Sequence, residues 1–437
     1  MLRALGEAGI KIDVMAGRGI GVGTALTAAI DAASGLWESD GLWRDRRALR
    51  LYGLRPALRA ALLISAAGCA IVALPLVVLA TGLLAYPAGF LLGLVSPATG
   101  RALVDGYAAL VGRAFEPGAL PTLLPRLALL TVALAVLTVL AAAGREVAAR
   151  GDRRRERGPW WARIVAAPWR ADHAAALFRE ALWKALRGAS RLRQPPSREL
   201  SRRYVEVLAD NLGQPGFREL VLVAHDLDAR QDVIFALLAD PFRQEFVRQG
   251  PSGARRRGGE VVDLAGGGRE HLLDALAAAV SIPLVTKGHP LQFAVDSFWR
   301  GETHTLADRP GAIARLLDEV AAAGVRQVIV VSAAADRGGP HGLSPRRPTL
   351  GARTGEYLTG DELAAVRDAL ASRGQLFEGV FTIAPLHNPI GPFDFAGRRD
   401  ERSDRTSRVA ELLDRGYEDA YRQFIEPVVG AGGDRVP

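Results

Sequence analysis

Residues Ile12 to Thr27 read IDVMAGRGIGVGTALT. Three apolar side chains within Ile12 to Met15 predict a short buried strand, Gly17, Gly19, Gly21 and Gly23 a tight turn, and Ala25 onward a helix. A strand that passes through a sharp turn into a helix either cradles a phosphate or presents a nucleophile, and spacing separates the two. The dinucleotide fingerprint G-x-G-x-x-G fails by one residue in each register: from Gly17 it meets Val22 where glycine belongs, and from Gly19 it meets Thr24. The nucleophile elbow G-x-S-x-G fits at both outer positions, Gly17 and Gly21, with Gly19 standing where the serine belongs. The frame is that of an elbow, without the side-chain oxygen.

The 437 residues are enough for two or three domains, and 49% hydrophobic content is ample for a sizeable core. The single cysteine, Cys69, excludes a disulfide framework and a cysteine-based zinc cluster, and its apolar surroundings give it the role of a small hydrophobe. The net charge is +8, but the basic residues gather beside long apolar runs. Membrane topology accounts for that distribution, and no nucleic-acid partner is expected.

Arg44, Arg46, Arg47, Arg50, Arg55 and Arg59 form a basic flank, after which no Asp, Glu, Lys or Arg occurs until Arg101. Ala61 to Leu84 alone exceeds the roughly 20 apolar residues needed to cross a hydrocarbon core. Pro75 and Pro87 allow either one long tilted helix or a helix followed by a re-entrant turn. A second run, Leu127 to Gly144, lies between Arg126 and Arg145 and, at about 18 residues, is near the lower limit for a span. Arg145, Arg150, Arg153, Arg154, Arg155, Arg157 and Arg163 follow it, whereas the stretch between the runs carries only scattered charges such as Arg101, Asp105 and Arg113. The positive-inside rule then predicts a transmembrane hairpin with both outer flanks in the cytoplasm and a short connector outside. Trp160, Trp161, Trp169 and Trp183 sit among arginines beyond it, as in a helix at headgroup level or a solvated amphipathic linker that ends at Pro195 and Pro196.

From Arg198 the pattern is that of a soluble α/β domain. Glu199 to Leu212 has helical spacing, Leu220 to Ala224 reads as a buried strand with Val233 to Phe235 as its partner, and Ala312 to Ala323 is an amphipathic helix feeding the strand Arg326 to Ser332. Another strand falls within Gln375 to Pro385, and Val409, Leu412, Leu413, Ala420, Phe424 and Ile425 form a closing helix. Short apolar strands alternating with such helices predict a mainly parallel sheet. The histidines His225, His271, His289, His304, His341 and His387 show no metal-ligand spacing, so no metal and no cofactor are expected.

The stretch MLRALGEAGIKIDVMAGRGIGVGTALTAAI, Met1 to Ile30, resembles the start of the patatin-like phospholipase family, with Gly19 replacing that family's catalytic serine. LVLVAHDLDARQDVIFAL is similar to the family's paired strands, placing Asp226 at a shared Asp whose plainest role is in the hairpin turn. LLDALAAAVSIPLVTKGHPLQFAVDSFW resembles the segment leading to the family's D-G-G motif, so Ser281, Ile282 and Pro283 match and Asp296 falls on the catalytic acid, although Ser297 and Phe298 replace the two glycines. RQVIVVS resembles a late family strand. The resemblance implies a Ser/Asp dyad, in which the Asp takes the serine proton as the hydroxyl attacks an ester. It also implies a strand and a glycine-rich oxyanion loop ahead of Ile12, which this sequence lacks, so either the true start lies upstream or that element is missing too.

Together these readings predict a patatin-like α/β three-layer sandwich around a mainly parallel sheet, interrupted by a transmembrane helical hairpin. The expected divisions are 1–50 for the first part of that domain, 57–145 for the membrane hairpin, 146–197 for a basic Trp-rich juxtamembrane linker, and 198–437 for the remainder and closing helix. The expected elbow is Gly17, Gly19 and Gly21, and the expected acid is Asp296. The implied activity is hydrolysis of acyl esters of membrane phospholipid or another acyl lipid, impaired because Gly19 has no oxygen. A membrane-anchored, non-catalytic lipid-binding or scaffold protein is the alternative. Either way the protein is integral to the membrane with its soluble portions cytoplasmic.

Overall fold

A computed structural model of the chain describes residues 1–45, 47–48, 51–116, 123–148, 167–248, 260–283, 285–332, 350–386 and 409–430. Trp160, Trp161, His341, His387 and the arginines from Arg150 to Arg163 lie outside the described residues. The chain forms two compact units, Met1–Gly53 with Arg170–Pro437, and Leu54–Trp169. The apolar segment is thus an insertion between two stretches of one α/β body.

The body opens with helix α1 (Leu2–Glu7), strand β1 (Val14–Gly17) and helix α2 (Gly21–Ala29). Gly9, at φ +71°, ends α1 in the left-handed conformation that favours glycine. The strand lies later, and the helix begins earlier, than hydrophobic spacing suggests. The Val22 amide already donates to the Gly19 carbonyl, and Val22, Ala25, Leu26 and Ala29 are buried, so α2 emerges directly from the turn.

The inserted unit contains α3 (Pro56–Ala80), α4 (Gly82–Val95), α5 (Pro97–Ala114) and α6 (Leu124–Ala148). Among the described residues, two stretches are long and apolar enough to cross a membrane: Pro56–Val95, of mean hydropathy 2.6, and Leu124–Arg145, of mean hydropathy 2.5. In each, only 11% of the most apolar window is buried within the protein, the reverse of a soluble core helix. Helix α3 packs on α6 where Gly68 admits the Thr131 side chain. Helix α4 packs on α5 through Gly82 under Tyr107 and Gly89 under Val104, the small-residue contacts by which apolar helices approach closely. The stretch between the apolar runs, expected as a short connector, contains the 18-residue helix α5.

The body resumes with α7 (Asp172–Arg187) and α8 (Ser197–Asp210). Sequence patterning assigns α7 to a helix at headgroup level or a solvated amphipathic linker; instead it is a core helix of the α/β unit. Leu177, Phe178, Leu182 and Trp183 are buried, while Asp172, Glu180, Lys184 and Arg187 are exposed. Phe178 is fully buried, lies directly over Gly23 of α2 and meets Trp43 edge-on at 5.8 Å. Phe178→Ala should cost about 3–5 kcal/mol, read as a lower unfolding temperature of the detergent-solubilised chain, because it opens a ring-sized void in a close-packed site.

The main elements that follow are β2 (Glu219–Asp226), β3 (Gln231–Leu237), β4 (Val261–Asp263), α9 (Leu272–Ala279), β5 (His289–Gln292), β6 (Thr303–Ala307), α10 (Ala312–Ala322), β7 (Gln327–Val331), α11 (Leu350–Arg373), β8 (Gly379–Ile383) and α12 (Val409–Ala420), which runs into a π-helical turn, Tyr421–Gly430. Their order in the main sheet is β4-β3-β2-β6-β5, with β1 also on β2. The β1–β2 and β3–β4 pairs are parallel, but β2–β3, β2–β6 and β5–β6 are antiparallel. The sheet is therefore mixed rather than mainly parallel, because short connections join β2 to β3 and β5 to β6 as antiparallel hairpins. Strands β7 and β8 form a separate parallel pair. Val221, Val223 and Ile234 of the main sheet pack with Leu316, Leu317 and Val320 of α10 in one core cluster.

Candidate functional site

Strand β2 fixes where the elbow points. Strand β3 occupies one of its edges from Leu220 to Asp226. On the other edge β1 pairs in parallel as far as Leu222, and β6 pairs antiparallel at His225 and Asp226. Two strands running in opposite senses along one edge bring their carboxyl ends together, here around Val223 and Ala224. The turn after β1 and the residue after β6, Asp308, consequently meet.

At that meeting point Gly17 is closely packed: a Cβ there would lie 3.1 Å from Ala25 Cβ, the Gly21 carbonyl oxygen and Val22 Cα, so the neighbours would have to give way. Gly19 has φ +53°, the strained left-handed backbone on which an elbow carries its nucleophile. A Cβ on Gly19 would sit 3.0 Å from Asp308 Oδ2, and its three nearest atoms all belong to the Asp308 carboxylate. Nothing lies within 4 Å of a Cβ at Gly21. Of the three expected elbow glycines, then, one is favoured by packing and one by conformation.

The carboxylate beside Gly19 is Asp308, not Asp296. Asp296 is exposed on the turn joining β5 to β6, at the end of β6 remote from Asp308; the strand between them accounts for about 13 Å. Ser297 Oγ donates to the Ala294 carbonyl within that same turn. Ser281, matched by sequence, is buried beneath the site: its carbonyl accepts the Asp308 amide at 2.9 Å, and its hydroxyl donates to the Ala277 carbonyl at 2.8 Å. The Tyr52 hydroxyl donates to the neighbouring Val280 carbonyl, and burial, with the Asp308 charge nearby, pushes that phenol well above its ordinary range.

Asp308 is already engaged. Arg18 Nη2 donates to Asp308 Oδ2 at 2.9 Å and Nε to Oδ1 at 3.3 Å, while Nη1 and Nη2 reach Glu362 of α11 at 2.5 and 2.7 Å. The Arg18 and Asp308 side chains are only 11% and 17% exposed. Burial opposes the guanidinium charge, but Asp308 and Glu362 outweigh it and raise the Arg18 pKa. Burial, with Asp308 and Asp361 adding to it and Arg18 opposing it, pushes the Glu362 carboxyl upward. This fork is what sequence reading missed. Glu362 lies 344 residues from Arg18, and Arg18 occupies a variable position of the elbow pattern.

Three further acid–histidine groups surround the sheet. His304 Nδ1 lies 2.5 Å from Asp226 Oδ2, with His304 1% and Asp226 0% exposed and the Trp299 and Phe293 rings against the imidazole. Asp226 Oδ1 also accepts the Asp228 and Ala229 amides, the hairpin-turn role its sequence context suggests. Asp232 takes His225 and Arg309; burial raises its pKa, but those partners reverse this and lower it overall. Asp274 bridges His271 at 2.9 Å and His289 at 2.8 Å, tying α9 to β5. Among the described residues, no group of three or more His, Cys, Asp or Glu side chains is placed to hold a metal ion.

Burial alone would raise the Asp274 pKa, but hydrogen bonds from His271 and His289 reverse this and hold it at about 2 against an ordinary 3.8. A depressed acid contributes stability that is complete above the ordinary value and lost as pH falls through the folded one. Asp274→Asn should therefore cost roughly 2 kcal/mol at pH 7, and the difference from the unmodified chain should vanish between about pH 4 and pH 2. Thermal unfolding across that range checks it.

Comparison of the chain with family models, with curated proteins and with solved structures finds no match.

Proposed function

We propose that this protein is a membrane-anchored homologue of the patatin-like phospholipases whose acyl-ester site no longer turns over. The observation that carries the reading is the pairing of an elbow turn, Gly19 at φ +53°, with a carboxylate directly against the position a nucleophile would occupy. The substrate class is an acyl lipid, because the same chain carries two stretches of membrane-crossing length. The Arg18 fork on Asp308 favours a non-catalytic, lipid-associated role, since a carboxylate held by a guanidinium is a poor base.

A fluorophosphonate lipid probe tests the assignment of the site. Serine oxygen displaces fluoride from phosphorus and leaves a stable phosphonate ester. The Gly19→Ser chain should acquire the adduct slowly at residue 19, located by peptide mass, and the unmodified chain should acquire none there. A folded Gly19→Ser chain that stays unlabelled under excess probe would remove the basis for the proposal.

The membrane part has its own test. Val14 pairs with Glu219 and Gly17 with Leu222, so residues before and after the insertion belong to one sheet and lie on one side of any bilayer. The crossings between them must be even in number, and the flanking arginines put that side in the cytoplasm. Single cysteines at Asp40 and Glu378, in a Cys69→Ala background, should both be shielded from an impermeant maleimide in intact cells and both react after lysis. Labelling of one but not the other in intact cells contradicts it.

A further inference from the structure

The membrane reading leaves α4 and α5 unassigned, and their dimensions restrict where they can go. Helix α3, with 25 residues, is about 37 Å long and crosses a hydrocarbon core of about 30 Å with moderate tilt. Helix α4 then adds 14 residues, about 21 Å, so the run Pro56–Val95 is about twice as long as a crossing requires. It cannot stand in water. Leu83 is 80% exposed, Leu84 75%, Phe90 69%, Leu94 71% and Val95 88%, and Leu74, Leu76 and Val77 of α3 are exposed as well.

The partner helix differs. Gly100, Val104 and Tyr107 of α5 face α4, and the Tyr107 hydroxyl donates to the Leu79 carbonyl at 2.9 Å. Arg101 and Asp105, four residues apart and exposed, share another side of α5. A bend is available where α3 meets α4: Thr81 separates them, and Pro87 cannot donate to the Leu83 carbonyl. We propose that α4 and α5 form a helical hairpin seated in the leaflet that α3 reaches at Ala80. Helix α4 lies among acyl chains near their headgroup ends, and the Arg101 side of α5 meets lipid phosphate. The ligand is phospholipid, and the proposal rests on the membrane reading above.

The full chain, Cys69→Ala, carries one cysteine labelled with a nitrobenzoxadiazole fluorophore at Val136, Leu91 or Asp105. It is reconstituted in phosphatidylcholine and phosphatidylglycerol vesicles containing lipid brominated near the headgroup or near the chain end. Val136, at mid-length of α6, should be quenched more by the deep bromines. Leu91 should be quenched at least twofold more by the shallow ones and be protected from aqueous iodide, while Asp105 is open to iodide. With Val136 behaving as stated, three results at Leu91 overturn the hairpin but not the crossing: free access to iodide, stronger quenching by deep bromines, or protection by a second copy, shown by cross-linking without lipid quenching. Val136 unquenched by either lipid would overturn the membrane reading itself.

Discussion

Replacing Arg18 with methionine is expected to lower the stability of the α/β unit by about 3 kcal/mol, the low end of what breaking a buried ion pair costs. The side chain is 11% exposed and satisfies two carboxylates from distant parts of the chain. Its removal leaves Asp308 and Glu362 facing each other without a counter-charge, and desolvation of an unpaired carboxylate dominates the loss. The deficit should shrink as pH falls from 7 toward 4, because the Glu362 carboxyl, pushed upward by burial and by the charges of Asp308 and Asp361, takes up a proton and ceases to repel. Adding Asp308→Asn and Glu362→Gln should bring the triple variant within about 1 kcal/mol of the unmodified chain, since a buried network and its neutral replacement are often equal in stability. Thermal unfolding of the detergent-solubilised chain measures both. A single variant as stable as the parent at pH 7 would show that the fork is a surface pair of little consequence.

The second large effect concerns catalysis. Gly19→Ser alone should leave ester turnover orders of magnitude below that of a working serine acyl hydrolase, for two reasons visible at the turn. The new Cβ would meet Asp308 Oδ2 at 3.0 Å on a backbone of positive φ, and that carboxylate is held by the Arg18 fork. A base in a bidentate ion pair accepts a proton poorly, and general-base assistance is worth roughly 10²–10⁴-fold. Combining Gly19→Ser with Arg18→Met and Glu362→Gln frees Asp308, and kcat for p-nitrophenyl ester hydrolysis should rise by at least about 10²-fold over Gly19→Ser. Asp308→Asn in that background should abolish the gain. An equal rate with and without Arg18 would mean that Asp308 is not the base of this site.

The contrast between Asp308 and Asp296 shows what the sequence could convey. The elbow was legible because a chain that reverses this sharply needs glycine, and Gly17 and Gly19 carry that requirement in their own letters. Strand β2 was legible because LVLVA is a continuous apolar run, and all five residues are buried. Asp296 is the expected acid only through the resemblance of its segment to one ending in D-G-G; Ala294 and Val295, which precede it, belong to a hairpin turn and not to the end of a strand. The true strand, β6, reads THTLA, and its polar His304 and Thr305 hide it. His304 is nevertheless buried, because Asp226 from another strand satisfies it. Pairings of that kind, like the Arg18 fork, join residues tens to hundreds of positions apart, and local pattern holds no trace of them. The α7 helix was misread for a related reason: Trp and Arg interleaved along a helix suit a membrane surface and a protein core equally, until Gly23 supplies the cleft for Phe178.

On the proposed function the elbow turn persists without ester hydrolysis, and the unmodified chain tests this most directly. Full-length protein in detergent micelles, given p-nitrophenyl esters and phospholipid, should release product no faster than its Asp308→Asn variant, both at the rate of protein-free micelles. Turnover by the unmodified chain that disappears in Asp308→Asn would mean that another group serves as nucleophile beside Asp308, and the claim would fail.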